Sequence, residues 1–88
     1  MRQESHGSVQ DSRWYQDLHA DSRDCMYRAM MYVARCGGPT IVGSPDERNN
    51  LHASRGPILE WLLGRPDRNT ILEAYAEYLE RWSPVFPD

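Results

Sequence analysis

Residues 21–36, DSRDCMYRAMMYVARC, form the most apolar stretch of the chain and decide its fold. Four of its charged side chains follow one another at intervals of three, four and seven residues: Asp21, Asp24, Arg28 and Arg35. On an α-helix this spacing gives one narrow polar stripe, with apolar surface around most of the circumference. We therefore expect this segment to be the central helix, covered by other elements or by a second chain.

A longer apolar pattern extends this helix toward the N-terminus. Seven residues recur at alternating intervals of three and four: Tyr15, Leu18, Ser22, Cys25, Ala29, Tyr32 and Cys36. This heptad-like seam, at 15–36, predicts a single helix over residues 12–36, with a possible kink at 19–22. The alternative is two helices, the second of which would be capped by Asp21 or Ser22.

Turn and capping signals divide the middle of the chain. Gly-Gly-Pro at 37–39 ends the central helix, and Thr-Ile-Val at 40–42 predicts at most a short extended segment. Ser-Pro-Asp-Glu at 44–47 fits a capping box, which predicts a polar helix over 45–54. The next Gly-Pro pair predicts a break before a short apolar helix over 57–63.

The last predicted helix begins at Asn69 or Thr70 and ends before the Ser-Pro pair that follows Trp82. Its predicted buried face consists of Ile71, Leu72, Tyr75, Tyr78, Leu79 and Trp82. The whole pattern predicts an all-α fold, a small bundle of about four helices with the long N-terminal helix at its centre.

The polar composition of the first ten residues sets the predicted domain boundaries. Residues 1–10 lack apolar periodicity and are predicted to be a flexible N-terminal tail. Residues 11–88 are predicted to form a single helical domain, with the apolar residues 85–87 folding back onto it.

Composition and charge favour a cytoplasmic protein. The chain has 88 residues, of which 40% are hydrophobic and 26% charged, and its formal net charge is −3. A net negative charge argues against nucleic-acid binding, since phosphates need a basic face. No signal peptide and no membrane-spanning run of ~20 apolar residues is apparent. Cys25 and Cys36 lie about 16 Å apart on one helix, too far for a disulfide, which suits a reducing compartment.

No catalytic or metal-binding pattern emerges from the residues. The three histidines, His6, His19 and His52, have no metal-ligand neighbours at helical spacing, so we expect neither a metal nor another cofactor. Cys25 and Cys36 lie in apolar sequence, which raises a thiol pKa and disfavours a nucleophilic role. The enzymatic alternative is a small hydrolase or nuclease that uses His52 with Arg48 or Glu47.

The abundance of Trp, Tyr and Met favours a protein-binding role. A domain this small cannot easily bury three tryptophans, five tyrosines and the central methionines, so part of this surface should contact another chain. Three glutamates on the last helix form an acidic strip suited to a partner with a basic surface. The predicted partner-binding residues are Arg28, Arg35, Glu73, Glu77, Glu80 and an exposed Trp14 or Trp61.

The sequence thus predicts a small non-enzymatic protein that binds another protein as a regulator, inhibitor or accessory subunit. Small proteins of this profile are often encoded by phages or mobile elements. The alternative within the same class is a homodimeric helical structural protein that associates through the 15–36 seam.

Overall fold

Four α-helices and one short helical turn make up the computed structural model, which describes residues 8–83. In chain order they are a 3₁₀ turn, Val9–Asp11, followed by α1, Arg13–Leu18; α2, Arg23–Arg35; α3, Arg48–Leu63; and α4, Arg68–Arg81. The described range contains no strand, and the predicted all-α bundle of about four helices is confirmed. The apolar residues 85–87 and most of the predicted tail lie outside the described residues.

The described part of the domain includes residues from the predicted tail. Val9 is only 8% exposed and belongs to the core, and Ser12 donates its hydroxyl hydrogen to the Val9 carbonyl. Val9, near the end of the predicted tail, therefore packs with the helical domain. A single valine forms no periodic apolar pattern, so Val9 could not be recognised as a core residue from the sequence.

The predicted single helix over 12–36 is wrong, because the chain breaks after Leu18. The Ser22 hydroxyl accepts a hydrogen bond from the Cys25 amide and caps α2, so the two-helix alternative is correct. The break lets α1 pack against both α2 and α4. A continuous helix would carry the Trp14 side chain away from α2, whereas its indole N–H here donates to the Ala29 carbonyl at 2.8 Å.

The helix α3 is longer than predicted, since it passes through Pro57 without a break. Its buried residues, Leu51, Ser54, Ile58 and Leu62, continue one face across the Gly-Pro pair. Gly56 has no Cβ that could clash with the Pro57 ring. Pro57 lacks the N–H that would donate to the Ala53 carbonyl, but Ala53 is exposed, so water can bond to this carbonyl instead. The two helices predicted at 45–54 and 57–63 are therefore one.

The loop between α2 and α3 is held by polar contacts and not by strand pairing. The Ser54 hydroxyl accepts from the Val42 amide and donates to the Asn50 carbonyl, both at 2.8 Å. The Asn50 side-chain amide donates to the Ser44 carbonyl. The helix starts at Arg48 with Glu47 as its N-cap, so the predicted capping box at Ser44 is a turn. Residues 40–42 form no strand.

The helix α4 follows the sequence prediction closely. It begins one residue before the predicted Asn69, and Tyr75 is its fully buried residue. Most of the other predicted core positions are half-buried against the same cluster: Ile71, Leu72, Tyr78 and Leu79. No helix within residues 8–83 is both long enough and apolar enough to span a membrane.

Two glycines provide a matched test of packing. A Cβ at Gly38 would lie 2.5 Å from Val33 Cγ1 and 2.9 Å from the Trp61 ring, so Gly38→Ala should lower the free energy of unfolding by about 1–3 kcal/mol. Gly64, at φ −81°, has only ordinary contacts, so Gly64→Ala should raise it by about 0.4–1 kcal/mol. Urea unfolding of both variants checks this. Equal effects would contradict the close approach at Gly38.

Candidate partner-binding groove

A buried carboxylate joins three helices behind the candidate site. Asp17 of α1 is 4% exposed and receives two hydrogen bonds from Arg28 of α2, both at 2.9 Å. The Tyr75 hydroxyl of α4 donates to the same carboxylate at 2.6 Å. Arg13 adds a longer contact at 3.4 Å from its exposed position. We call Asp17, Arg28 and Tyr75 the Asp17 cluster; it fixes α4 against α1 and α2.

The charges in the Asp17 cluster are stabilised mutually. Burial alone would raise the pKa of Asp17, but the hydrogen bonds from Arg28 and Tyr75 and the arginine charges hold that pKa below its usual range. The hydrogen bond to Asp17 raises the pKa of Arg28, while burial and the Asp17 carboxylate raise the pKa of Tyr75. At neutral pH the cluster is therefore a carboxylate that accepts from a guanidinium and a phenol.

Aromatic rings pack in a layer between α2 and α4. The Tyr32 ring centroid lies 5.0 Å from that of Tyr75 and 4.9 Å from that of Tyr78. Tyr27 faces Trp82 at 6.5 Å, and the Tyr32 hydroxyl donates to the Ile71 carbonyl. Residues later in α2 therefore face residues earlier in α4, so the two helices run antiparallel.

An open groove of about 600 Å³ lies between α2 and α4 on the outer side of this layer. Three residues of α2 and three of α4 form its walls: Tyr27, Met31 and Arg35, and Ala74, Glu77 and Arg81. Its floor contains Tyr32, Tyr78 and Trp82. The α2 wall residues are spaced by four, so this wall extends for about 12 Å, or two helical turns. We call this feature the α2–α4 groove.

Charged side chains lie on both walls of the groove. The Arg35 guanidinium carbon is 5.6 Å from the Tyr78 ring centroid, and Arg35 is exposed. Arg81 directly precedes Trp82 in the sequence, and the Trp82 ring faces Tyr27, so Arg81 lies near the Tyr27 end of the groove. Within residues 8–83, Arg35, Glu77 and Arg81 take part in none of the ion pairs. These charges are available to a ligand or partner.

The phenols of Tyr32 and Tyr78 are neutral at neutral pH. Burial raises the pKa of Tyr32 to about 12, and the neighbouring Cys36 contributes to the shift. Burial also raises the pKa of Tyr78. Both rings therefore offer neutral aromatic surface, which suits apolar side chains and cation–π contacts.

The two predicted arginines have different surroundings. Arg35 borders the groove as an exposed residue, in agreement with its predicted place on a polar stripe. Arg28 is not on an open stripe, since its side chain is 18% exposed and bound to Asp17. Its guanidinium carbon also lies 5.8 Å from the Trp82 ring centroid, so Arg28 supports the groove floor from behind.

The predicted acidic strip is present but only partly at the groove. Glu73, Glu77 and Glu80 are all exposed on α4. Glu77 lines the α2–α4 groove, whereas Glu73 borders a smaller pocket beside the N-terminal turn. The structure therefore does not bring the three glutamates to one site.

The predicted exposure of the tryptophans is wrong for Trp14 and partly wrong for Trp61. Trp14 is 0% exposed, because α1 folds back onto α2 and α4. Trp61 is half-buried against Gly38, and the Arg65 guanidinium carbon lies 4.7 Å from its ring centroid. Neither borders the groove. The aromatic residues that line the groove are Tyr27, Tyr32, Tyr78 and Trp82 instead.

The 15–36 seam predicted for a homodimer is partly buried within the chain. Leu18, Ala29 and Tyr32 are buried, at 0%, 0% and 7% exposure. Cys25 and Cys36 are half-buried free thiols, and burial raises the pKa of the Cys36 thiol. The other four seam residues, Tyr15, Ser22, Cys25 and Cys36, stay partly or fully exposed, so the homodimer remains a prediction.

The residues of the enzymatic alternative are not assembled into one site. His52 is exposed on α3, outside the groove, and Arg48 donates to the Asp21 carbonyl. In the described range, no hydrogen bond joins His52 to Arg48 or Glu47. No group of three or more His, Cys, Asp or Glu residues there has metal-binding geometry. The proposal that His52 acts in a hydrolase or nuclease stays a prediction.

Comparisons with protein-family models, curated proteins and solved structures find no match for this chain.

Proposed function

We propose that this protein is a small non-enzymatic module that binds another protein through the α2–α4 groove. It would act as a regulator, inhibitor or accessory subunit of a larger protein. The observation that supports this proposal is the open aromatic groove, whose walls carry Arg35, Glu77 and Arg81 without ion pairs among the described residues.

The composition of the groove is typical of binding surfaces between proteins. Tyr, Trp, Met and Arg are enriched at interfaces, because they offer large contact area together with polar groups. Met31 adds an adaptable side chain between Tyr27 and Arg35 on the α2 wall. A groove two turns long suits a short segment of a partner better than a broad flat surface.

The Asp17 cluster ties the floor of the groove to α1 and α2. Tyr75 is hydrogen-bonded to Asp17 and packs against Tyr32 and Tyr78 on the floor. A preformed groove needs little ordering on association, so more of the contact energy contributes to affinity.

Photo-crosslinking at two alanines of α4 tests the proposed function. Ala74 lines the groove, whereas Ala76 is exposed on α4 and does not line it. A photoreactive amino acid at position 74 should yield one defined adduct in cells of the organism that encodes the protein, and position 76 should not. A purified partner identified in this way should bind Ala74→Gln at least about tenfold more weakly than wild type, and Ala76→Gln normally.

Two results would contradict the proposed function. Equal labelling from positions 74 and 76 would show that the groove is not the contact surface. Adducts between two copies of this chain, with no other protein, would favour the homodimer instead.

A further inference from the structure

We propose that the partner segment is an amphipathic helix about two turns long, with an acidic side chain near each end. This inference rests on the proposed function and names the chemistry of the partner. It is based on the wall geometry and the distribution of charge in the α2–α4 groove.

The shape of the groove favours a helix over an extended peptide. Its walls are two antiparallel helices, and residues 8–83 contain no strand whose edge could pair with a peptide backbone. An extended segment would leave its backbone N–H and C=O groups without partners on these side-chain walls. A helix satisfies those groups internally and presents an apolar stripe to the groove.

The arginine positions favour acidic groups at the ends of that helix. Arg35 lies near the end of α2, on one wall, and Arg81 lies on the other wall near the opposite end. The distance from Tyr27 to Arg35 along α2 is about 12 Å, so carboxylates seven or eight residues apart on a helix would reach both ends.

The centre of the groove favours apolar side chains. Met31 and Tyr78 lie between the two arginines, and Glu77 borders the same region from α4. Two arginines against one glutamate give the wall residues a charge of +1, opposite to the net charge of the whole chain. Glu73 and Glu80 do not line the groove, so they do not reverse this balance. Of the predicted acidic strip, only Glu77 lies at the groove.

Two synthetic helical peptides test the assignment. Each is fluorescein-labelled and about 14 residues long, with leucines along one face. One has a glutamate near each end, and the other has lysines at the same two positions. Binding to the full chain is measured by fluorescence anisotropy at low and high salt.

We expect the glutamate peptide to bind about tenfold more tightly than the lysine peptide at low salt, with a smaller ratio at high salt. Arg35→Glu and Arg81→Glu should each reduce this preference several-fold. Glu77→Gln should strengthen binding of the glutamate peptide. Arg48→Glu changes the net charge equally but is exposed on α3 outside the groove, so it should leave the preference largely unchanged.

The remaining outcomes separate this inference from the proposed function. If the lysine peptide binds more tightly, and Ala74→Gln weakens it, the groove binds helices but the acidic assignment is wrong. If neither peptide binds while position 74 still crosslinks a partner, only this inference fails. If binding requires removal of residues 84–88, the occupant is the chain's own segment and the inference fails. If neither binding nor crosslinking occurs, both proposals fail.

Discussion

Replacement of Asp17 by alanine is expected to lower the free energy of unfolding by about 3–5 kcal/mol. Asp17 is 4% exposed and is the acceptor for both Arg28 and the Tyr75 hydroxyl. Its removal leaves a largely buried guanidinium and a buried phenol without their acceptor. Because small domains have a total stability of about 5–15 kcal/mol, this variant should be close to unfolding at physiological temperature.

Urea unfolding followed by far-UV circular dichroism measures this effect. Asp46→Ala is the matched control, because Asp46 is exposed and its hydrogen bonds with Arg23 and Ser44 use its backbone, which alanine retains. It should change the free energy of unfolding by less than about 0.5 kcal/mol. A loss below about 1 kcal/mol for Asp17→Ala would contradict the stabilising role of the cluster.

The Asp17 carboxylate also determines how the stability of the fold should change with pH. The pKa of Asp17 is lowered in the folded state, so its contribution to stability is present above the unfolded pKa of about 3.9 and is lost as the pH falls through the folded value. Wild type and Asp17→Ala should therefore converge in stability under acidic conditions. If the difference in free energy of unfolding between wild type and Asp17→Ala stays constant as the pH falls into the acidic range, the stabilising role of the Asp17 carboxylate is contradicted.

Replacement of Trp14 by alanine is expected to destabilise the fold by about 3–5 kcal/mol as well. The Trp14 side chain is 0% exposed, and its loss would leave a cavity between α1 and α2 and remove the indole hydrogen bond to the Ala29 carbonyl. Trp61→Ala should cost less, because Trp61 is only half-buried. Equal losses in urea unfolding of the two variants would contradict the buried position of Trp14.

Local signals were sufficient to predict much of the fold. The apolar spacing of α4 located its buried face, and the Gly-Gly-Pro signal placed the end of α2 within one residue. Local signals misled where long-range contacts decide the structure. The seam through 15–36 continues across the break between Leu18 and Ser22, so its spacing does not show that Ser22 caps a new helix and that Trp14 packs back on Ala29. Similarly, the buried face of α3 outweighs the helix-breaking tendency of Pro57.

The groove could be predicted only in part from the sequence. Arg35 and Glu77 were predicted to bind a partner and both border it, while Met31 belonged to the apolar surface expected to exceed the core. Ala74 and Arg81 carry no distinguishing signal, since an alanine and an arginine on an outer helix face are common. Their place opposite α2 depends on the Asp17 cluster, which joins residues up to 58 positions apart in the sequence.

Backbone chemical-shift mapping tests the binding role of the α2–α4 groove most directly. Nitrogen-15-labelled protein is titrated with the partner identified by crosslinking. We expect the largest shift changes at Met31, Arg35 and Ala74, with small changes at His52 and Glu60 on α3. Large changes on α3 with none at Met31 or Ala74 would contradict binding through the groove.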